Sequence, residues 1–342
     1  MSSKRIIIVG AGPAGLAAAG VLARLGASVT LIDKDPDMGG HLSKWHQLFP
    51  DRSSAQILLE QLVSEVPDEV SRIMGREVIG GNVRTNQVDL KLDEGTWITG
   101  DGLLLATGFD LFDAHRKEEY GYGIYDNVYT QAEVEQMFEN GRIENRSGKI
   151  PQSIAFLHCV GSRDQKVGVS YCSKVCCVTG VKQAIEMREK LPDAIIYNFY
   201  MDLRMFGQGF EELYHDAQEK YNIRFIRGRI SEAAENQQGK VIIKAEDTLT
   251  ARPLKLTVDM LILLCGMQPS KHTANLADTF GFTTGPDGFL KPLGPSQNTF
   301  RTRHPHVMLA GACTGPATLT EAIQAGRSAS LALYEQLFNI IN

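Results

Sequence analysis

The sequence predicts an α/β fold of two dinucleotide-binding, Rossmann-like domains, and three observations predict it. A glycine-rich turn sits between a β-branched run and a helical stretch at the N-terminus. A second α/β unit opens on another apolar strand midway along the chain. A third apolar strand near the C-terminus ends in a further glycine turn followed by a helical pattern. The chain of 342 residues is 43% hydrophobic and 22% charged, which describes an ordinary globular protein of two-domain size. The expected division is a discontinuous first domain over 1–112 and 286–342, a connecting segment over 113–150, and a second domain over 151–285.

The elements follow in order. Arg5 to Val9 reads as a strand, Gly10-Ala11-Gly12-Pro13-Ala14-Gly15 as the turn, and Leu16 to Leu25 as the helix. Gly10 permits the tight turn, Gly12 lets backbone approach a pyrophosphate, and Gly15 lets the helix pack on the strand, with the helix N-terminus favouring phosphate charge. The second strand, Ser28 to Asp33, ends in an acid eighteen residues after Gly15, where a ribose hydroxyl is held in such folds. Pro13-Ala14 and Met38-Gly39-Gly40-His41-Leu42 resemble the FAD version of this fold in the thioredoxin reductase and glutathione reductase families, which favours FAD over NAD. Asp101-Gly-Leu-Leu-Leu-Ala106-Thr107-Gly108 resembles the strand and turn that close the first half of that FAD domain. His306 to Cys313, followed by the helix from Thr318, resembles its second FAD motif, in which a helix N-terminus faces the flavin ring; Ala312 stands where the resemblance expects an acid. The FAD contacts expected on this basis are Gly10, Gly12, Pro13, Ala14, Gly15, Asp33, Lys34, Gly40, His41, Leu42, Val78, Ala106, Thr107, Gly108, Gly311, Ala312, Thr318 and Leu319.

Asp110 to Gly148 reads as a polar connection with one short helix, whose start is marked by Thr130 as cap and Glu133 as its capping-box partner. The second domain opens with Ser153 to Cys159 and closes with Asp259 to Gly266. Its first turn reads His158-Cys159-Val160-Gly161-Ser162-Arg163-Asp164, without a glycine phosphate cradle, so NAD(P) is not expected in the usual place. Cysteines occupy the region instead: Cys159, Cys172, Cys176 and Cys177, the last three preceding a helical pattern from Thr179. Four soft thiolates within nineteen residues match the ligand count of a four-iron cluster or a structural zinc. Adjacent Cys176-Cys177 makes a zinc knuckle awkward, and three residues rather than two separate Cys172 from Cys176, which departs from the usual redox dithiol. Cluster, zinc, redox thiols and simple buried cysteines remain four readings of the residues, with the cluster favoured. Cys265 and Cys313 each end an apolar strand and read as small buried hydrophobes. His158 reads as a satisfied structural histidine and Asp202 as structural. Lys182, one helical turn beyond Cys177, is either a solvated lysine or an ammonium acting beside a redox centre.

At these residues the chain resembles a family. His158-Cys-Val-Gly-Ser-Arg-Asp164, Tyr171-Cys-Ser-Lys-Val-Cys-Cys177, Thr179-Gly-Val-Lys-Gln-Ala184, Tyr200-Met-Asp-Leu-Arg204 and Ala106-Thr-Gly-Phe-Asp110 are similar to the heterodisulfide reductase family, in its flavin-bearing polypeptide. The resemblance implies an FAD core of thioredoxin-reductase type and one [4Fe-4S] cluster held by Cys159, Cys172, Cys176 and Cys177. It also implies electron exchange with the cysteine-rich B and C components of such a complex, and a homodimer. The length resembles the heterodisulfide-reductase-like proteins of sulfur oxidisers, whose complexes receive sulfane sulfur from carrier proteins. The open alternatives are an NAD(P)H-dependent flavin disulfide reductase and a noncatalytic flavin-binding scaffold.

A formal net charge of −5 gives no basic face for nucleic acid or anionic membrane. The apolar run at Met260 to Cys265 is strand-length rather than membrane-length. Six cysteines without export features suit a reducing cytoplasm.

Overall fold

The computed structural model describes residues 3–294 and 296–338. The chain divides into two compact units, the first of 1–43, 56–110 and 268–342, the second of 44–55 and 111–267. Residues 268–285, expected in the second domain, therefore lie in the first unit. The stretch expected to connect the domains lies in the second, where Val128–Thr130 adds a parallel edge strand to the main sheet.

The first unit is built on a five-stranded parallel sheet in the order Val307–Leu309, Gly102–Leu105, Arg5–Val9, Ser28–Asp33 and Ser71–Met74. Ile6, Ile8 and Leu104 are fully buried, as the two-sided burial of a parallel sheet requires. The helices Pro13–Arg24 and Leu319–Phe338 pack together closely. Their approach depends on Gly326, where a Cβ would drive into the carbonyl oxygen of Ala14. A three-stranded antiparallel meander, Val78–Val83, Val88–Leu92 and Trp97–Gly100, joins the same apolar core through Val78, Val88 and Leu90.

The second unit repeats this plan. Its parallel sheet runs Arg224–Arg227, Ile195–Tyr200, Ser153–Val160, Met260–Cys265 and Val128–Thr130. Its meander is Ile230–Glu235, Val241–Asp247 and Arg252–Val258. The predicted capping box is present: Thr130 Oγ1 accepts from the Glu133 amide, and the Glu133 carboxylate accepts from the Thr130 amide at 2.8 Å. That fixes the start of the Gln131–Glu139 helix. Among the described residues no helix is long and apolar enough to cross a membrane.

Candidate functional site

Two places in this fold carry chemistry, one at the first turn of each unit. In the first unit the helix starts at Pro13, immediately after the turn, with Gly12 as an extended N-cap that has no side chain to offer. The first amides of the helix thus lack a side-chain acceptor. Gly10 has φ +109°, and a Cβ there would meet the Ala106 carbonyl; a Cβ at Gly15 would meet the Gly10 carbonyl. Beside Gly12 a Cβ would meet nothing. Bare backbone facing open space at a helix N-terminus suits a phosphate-bearing ligand. Three further segments reach this turn. A Cβ at Gly40, which has φ +55°, would contact the Gly12 Cα, and one at Gly311, which has φ +72°, would contact the Ala14 side chain. Asp33 Oδ1 accepts from the Asp35 amide at 2.9 Å and Oδ2 from the Ala11 amide at 2.5 Å, so the expected ribose acid also locks the turn.

The structure therefore gathers Gly10, Gly12, Pro13, Ala14, Gly15, Asp33, Gly40, Ala106 and Gly311 around one cradle. His41 stacks on Phe109 with ring centroids 4.2 Å apart and bonds the Phe109 carbonyl at 2.9 Å. Thr107 is bonded to Thr273 at 2.5 Å. Thr318 caps the Leu319–Phe338 helix through Glu321. Leu42 and Val78 are buried, Val78 as part of the apolar core, and Lys34 is exposed. The donor groups and the open backbone fit a dinucleotide.

In the second unit the strand Ser153–Val160 ends in a turn of a different kind. Cys159 takes φ +61°, a conformation that glycine usually supplies, and Arg163 and Lys174 are also left-handed. Such positions in non-glycine residues mark sites whose geometry the surroundings enforce. The helix begins at Cys176, not beyond the cysteines as the periodicity suggested, so Cys176 and Cys177 occupy its first turn. Its N-cap Val175 offers no side-chain bond. A helix N-terminus favours negative charge, thiolates included. Two backbone amides also point at sulfur: Lys174 N to Cys172 Sγ at 3.3 Å and Arg204 N to Cys177 Sγ at 3.4 Å. As free thiols, Cys159, Cys176 and Cys177 are poorly ionised. Burial, then the neighbouring Cys177 and Cys172, pushes Cys159 up to about 12. Burial also raises Cys177, and raises Cys176 well above its ordinary value. The four sulfurs are thus electrostatic neighbours, and none of the six cysteines forms a disulfide. Among the described residues no group of three or more His, Cys, Asp or Glu is spaced to hold a single metal ion.

Ion pairs hold this region where glycine packing holds the first. Buried Asp164 accepts from Lys117 at 2.8 Å and Arg229 at 2.6 Å. Burial works against it, yet Lys117 and Arg229 keep the carboxyl below the usual carboxylate range. Asp202 pairs with Arg163 at 2.8 Å and Arg227 at 3.6 Å, a structural role. His158 is buried against Asn198 at 2.8 Å, and burial lowers it to about 4. Cys265 and Cys313 are buried, as expected.

Lys182 is not solvated. It has 0% side-chain exposure and reaches Glu135 at 2.5 Å and Glu186 at 2.8 Å. Sequence reasoning missed both carboxylates, and also His46, whose Nδ1 lies 2.8 Å from Glu186. One signal was available: Lys182 and Glu186 are spaced i, i+4.

A family model described as pyridine nucleotide-disulphide oxidoreductase matches residues 4–144 and 176–326. The unmatched stretch between them holds Cys159 and Cys172. The A component of the H2/formate:CoB-CoM heterodisulfide, ferredoxin reductase of Methanococcus maripaludis is 39% identical over 252 residues, 72% of this chain and 37% of that protein. An iron-sulfur A component of the CoB–CoM heterodisulfide reductase of Methanopyrus kandleri is 40% identical over 67% of this chain and 36% of its own length. The chain thus spans little more than a third of these relatives. Among solved structures, thioredoxin reductase of Lactococcus lactis superposes with a TM-score of 0.71 at 16% identity, covering 98% of this chain and 100% of that one. A bacillithiol disulfide reductase of Staphylococcus aureus gives 0.65 at 13% identity, covering all of both chains.

Proposed function

The chain belongs to the pyridine nucleotide-disulphide oxidoreductase family and is a relative of the A component of heterodisulfide reductase, and from that premise we propose that it is an electron-carrying flavoprotein within a larger complex. On this reading FAD lies in the glycine cradle of the first unit, and Cys159, Cys172, Cys176 and Cys177 of the second hold one [4Fe-4S] cluster. The observation that carries it is the replacement of the second unit's phosphate turn by four neighbouring thiols, two of them in the first turn of a helix. When bound, the flavin interconverts two-electron and one-electron transfers and the cluster passes single electrons.

The chain's own residues hold and tune. Gly12 and the amides after it bind phosphate charge, and Gly10, Gly15 and Gly311 clear the space. The Lys174 and Arg204 amides donate to sulfur and favour its thiolate form. The Arg163 guanidinium, which counters the upward push on Cys159, works in the same direction. The partners that fit are cysteine-rich polypeptides of the kind a heterodisulfide reductase assembles, and the chain itself as a homodimer.

Iron and acid-labile sulfide per FAD, measured on anaerobically purified protein, test the reading. About four of each per flavin are expected by the cluster's composition. Changing Cys176 and Cys177 together to Ser removes both and leaves the flavin. A protein that carries flavin, no iron and titratable thiols moves the assignment to a disulfide reductase.

A further inference from the structure

The cluster around Lys182 has an odd charge count. Lys182 contributes one positive charge with 0% of its side chain exposed, while Glu135 at 1% and Glu186 at 2% contribute two carboxyl groups. The two acids are not equivalent. Glu135 is fully served as an anion: Oε1 accepts from Lys182 at 2.5 Å and from Gln183 at 2.6 Å, and Oε2 accepts from the His46 amide at 3.0 Å. Glu186 has only the Lys182 ammonium near Oε2 and His46 Nδ1 at 2.8 Å from Oε1. Trp45 and Phe138 wall the ammonium in with their ring faces, centroids 5.0 and 5.9 Å away. An uncompensated charge in the interior is strongly unfavourable, so a site of this burial does not hold a net −1 at rest. One proton must be added, and the place with spare capacity is the His46–Glu186 bond.

We propose that His46 and Glu186 form a proton port, with Glu186 holding one exchangeable proton in the interior and His46 passing it to and from solvent. The imidazole is the member with access, its side chain being 28% exposed against 2% for Glu186. Inward transfer balances as follows. A solvent proton forms an N–H bond at Nε2, the Nδ1–H bond breaks, and an O–H bond forms at Glu186 Oε1. A neutral imidazole and a neutral carboxylic acid remain beside the Lys182–Glu135 ion pair. Outward transfer reverses each step and leaves the interior one charge more negative. The charged groups facing Glu186 are Lys182 on its own helix, Glu135 on the Gln131–Glu139 helix and His46 on the 44–55 segment. Burial raises the Glu186 carboxyl, Lys182 opposes that, and Glu135 adds to it. Resting on the electron-carrier reading, the port supplies the proton that accompanies arrival of an electron.

The test is infrared difference spectroscopy of the whole protein between two pH values, in water and in D2O, on wild type, Glu186→Gln and His46→Gln. Wild type is expected to show a carboxylic-acid C=O band with a deuterium shift. That band disappears in Glu186→Gln, and in His46→Gln it persists with slowed exchange. A carboxylate at position 186 throughout the pH range in which the protein is folded overturns the port, as does exchange unchanged in His46→Gln. This readout needs neither flavin nor iron, so it stands apart from any failure of the functional reading. Redox titration then tests the coupling. The wild-type midpoint potential falls with rising pH more steeply than that of Glu186→Gln; identical slopes overturn the link to reduction.

Discussion

The first turns of the two units answer the same topological requirement by opposite means. Both follow the central strand of a five-stranded parallel sheet and lead into a helix. In the first unit the turn is bare backbone, three glycines and no charged side chain, and the helix starts within three residues of Gly10. In the second the corresponding helix starts sixteen residues after Val160, and the intervening loop is charged, left-handed at two non-glycine residues, Arg163 and Lys174, and tied by ion pairs. A helix N-terminus can receive phosphate or thiolate charge equally well; what selects between them is whether the turn removes side chains or supplies them.

That contrast breaks or sharpens under a graded set of changes. The two tryptophans give separate reporters, since Trp45 lies in the second unit and Trp97 in the first. The largest effect is expected from Lys182→Met, which leaves Glu135 and Glu186 buried without their cation. Loss of one partner of a buried pair costs about 3–5 kcal/mol. Denaturant unfolding should show that loss through Trp45 fluorescence, and an equal loss through Trp97 would mean that the units do not unfold separately.

Next in size is Gly10→Ala. Its Cβ meets the Ala106 carbonyl, and φ +109° strains any L side chain. A strained residue of that kind costs about 1–3 kcal/mol. Bound flavin should fall steeply while iron content is kept; a variant that retains flavin would show that the turn tolerates a side chain after all.

Acid should separate the units more gently. Asp164, Asp202 and Asp259 of the second unit and Asp89 of the first all have lowered carboxyl pKa values. For Asp164, Lys117 and Arg229 outweigh the upward push of burial. A lowered carboxylate contributes stability that is complete above its unfolded value of about 3.9 and is lost as pH falls through the folded one. Trp45 should therefore report acid destabilisation before Trp97, and Asp164→Asn should abolish part of that difference. Smallest of all is Cys265→Ala or Cys313→Ala, expected to cost about 1 kcal/mol and no iron. Iron lost from either would place a ligand outside the group of four.

The glycine turn and the four cysteines were legible because local chemistry dictates them. A tight turn needs glycine wherever its neighbours sit, and a group of four cysteines announces itself by residue type and spacing. Thr130 and Glu133 were legible for the same reason, since a capping box is closed within four residues. Lys182, Glu135 and Glu186 were not. Every residue from Cys176 to Met187 is buried, so polar side chains on that helix face other parts of the second unit rather than water, and helical periodicity reads a lysine among them as solvated. The periodicity also places the start of the same helix too late, because Cys176-Cys177 lacks a capping side chain to mark it. Strand Val128–Thr130 escaped because three residues give no usable period and its place depends on pairing with Leu261 to Leu263, far along the chain.

The twelve residues from Lys44 to Ala55 sit with the second unit although the chain on either side of them belongs to the first. They carry Trp45 and His46, and Arg52, whose guanidinium bonds Glu189 on the Cys176–Lys190 helix. A gene fragment cut at 111 and 267 would look like a clean dissection and would express a module without its lid: Lys182 stripped of its tryptophan, with only the Phe138 ring left over it, and Glu186 of its histidine. Anyone wishing to transplant the thiol-bearing half into another scaffold must carry these twelve residues along as a separate splice.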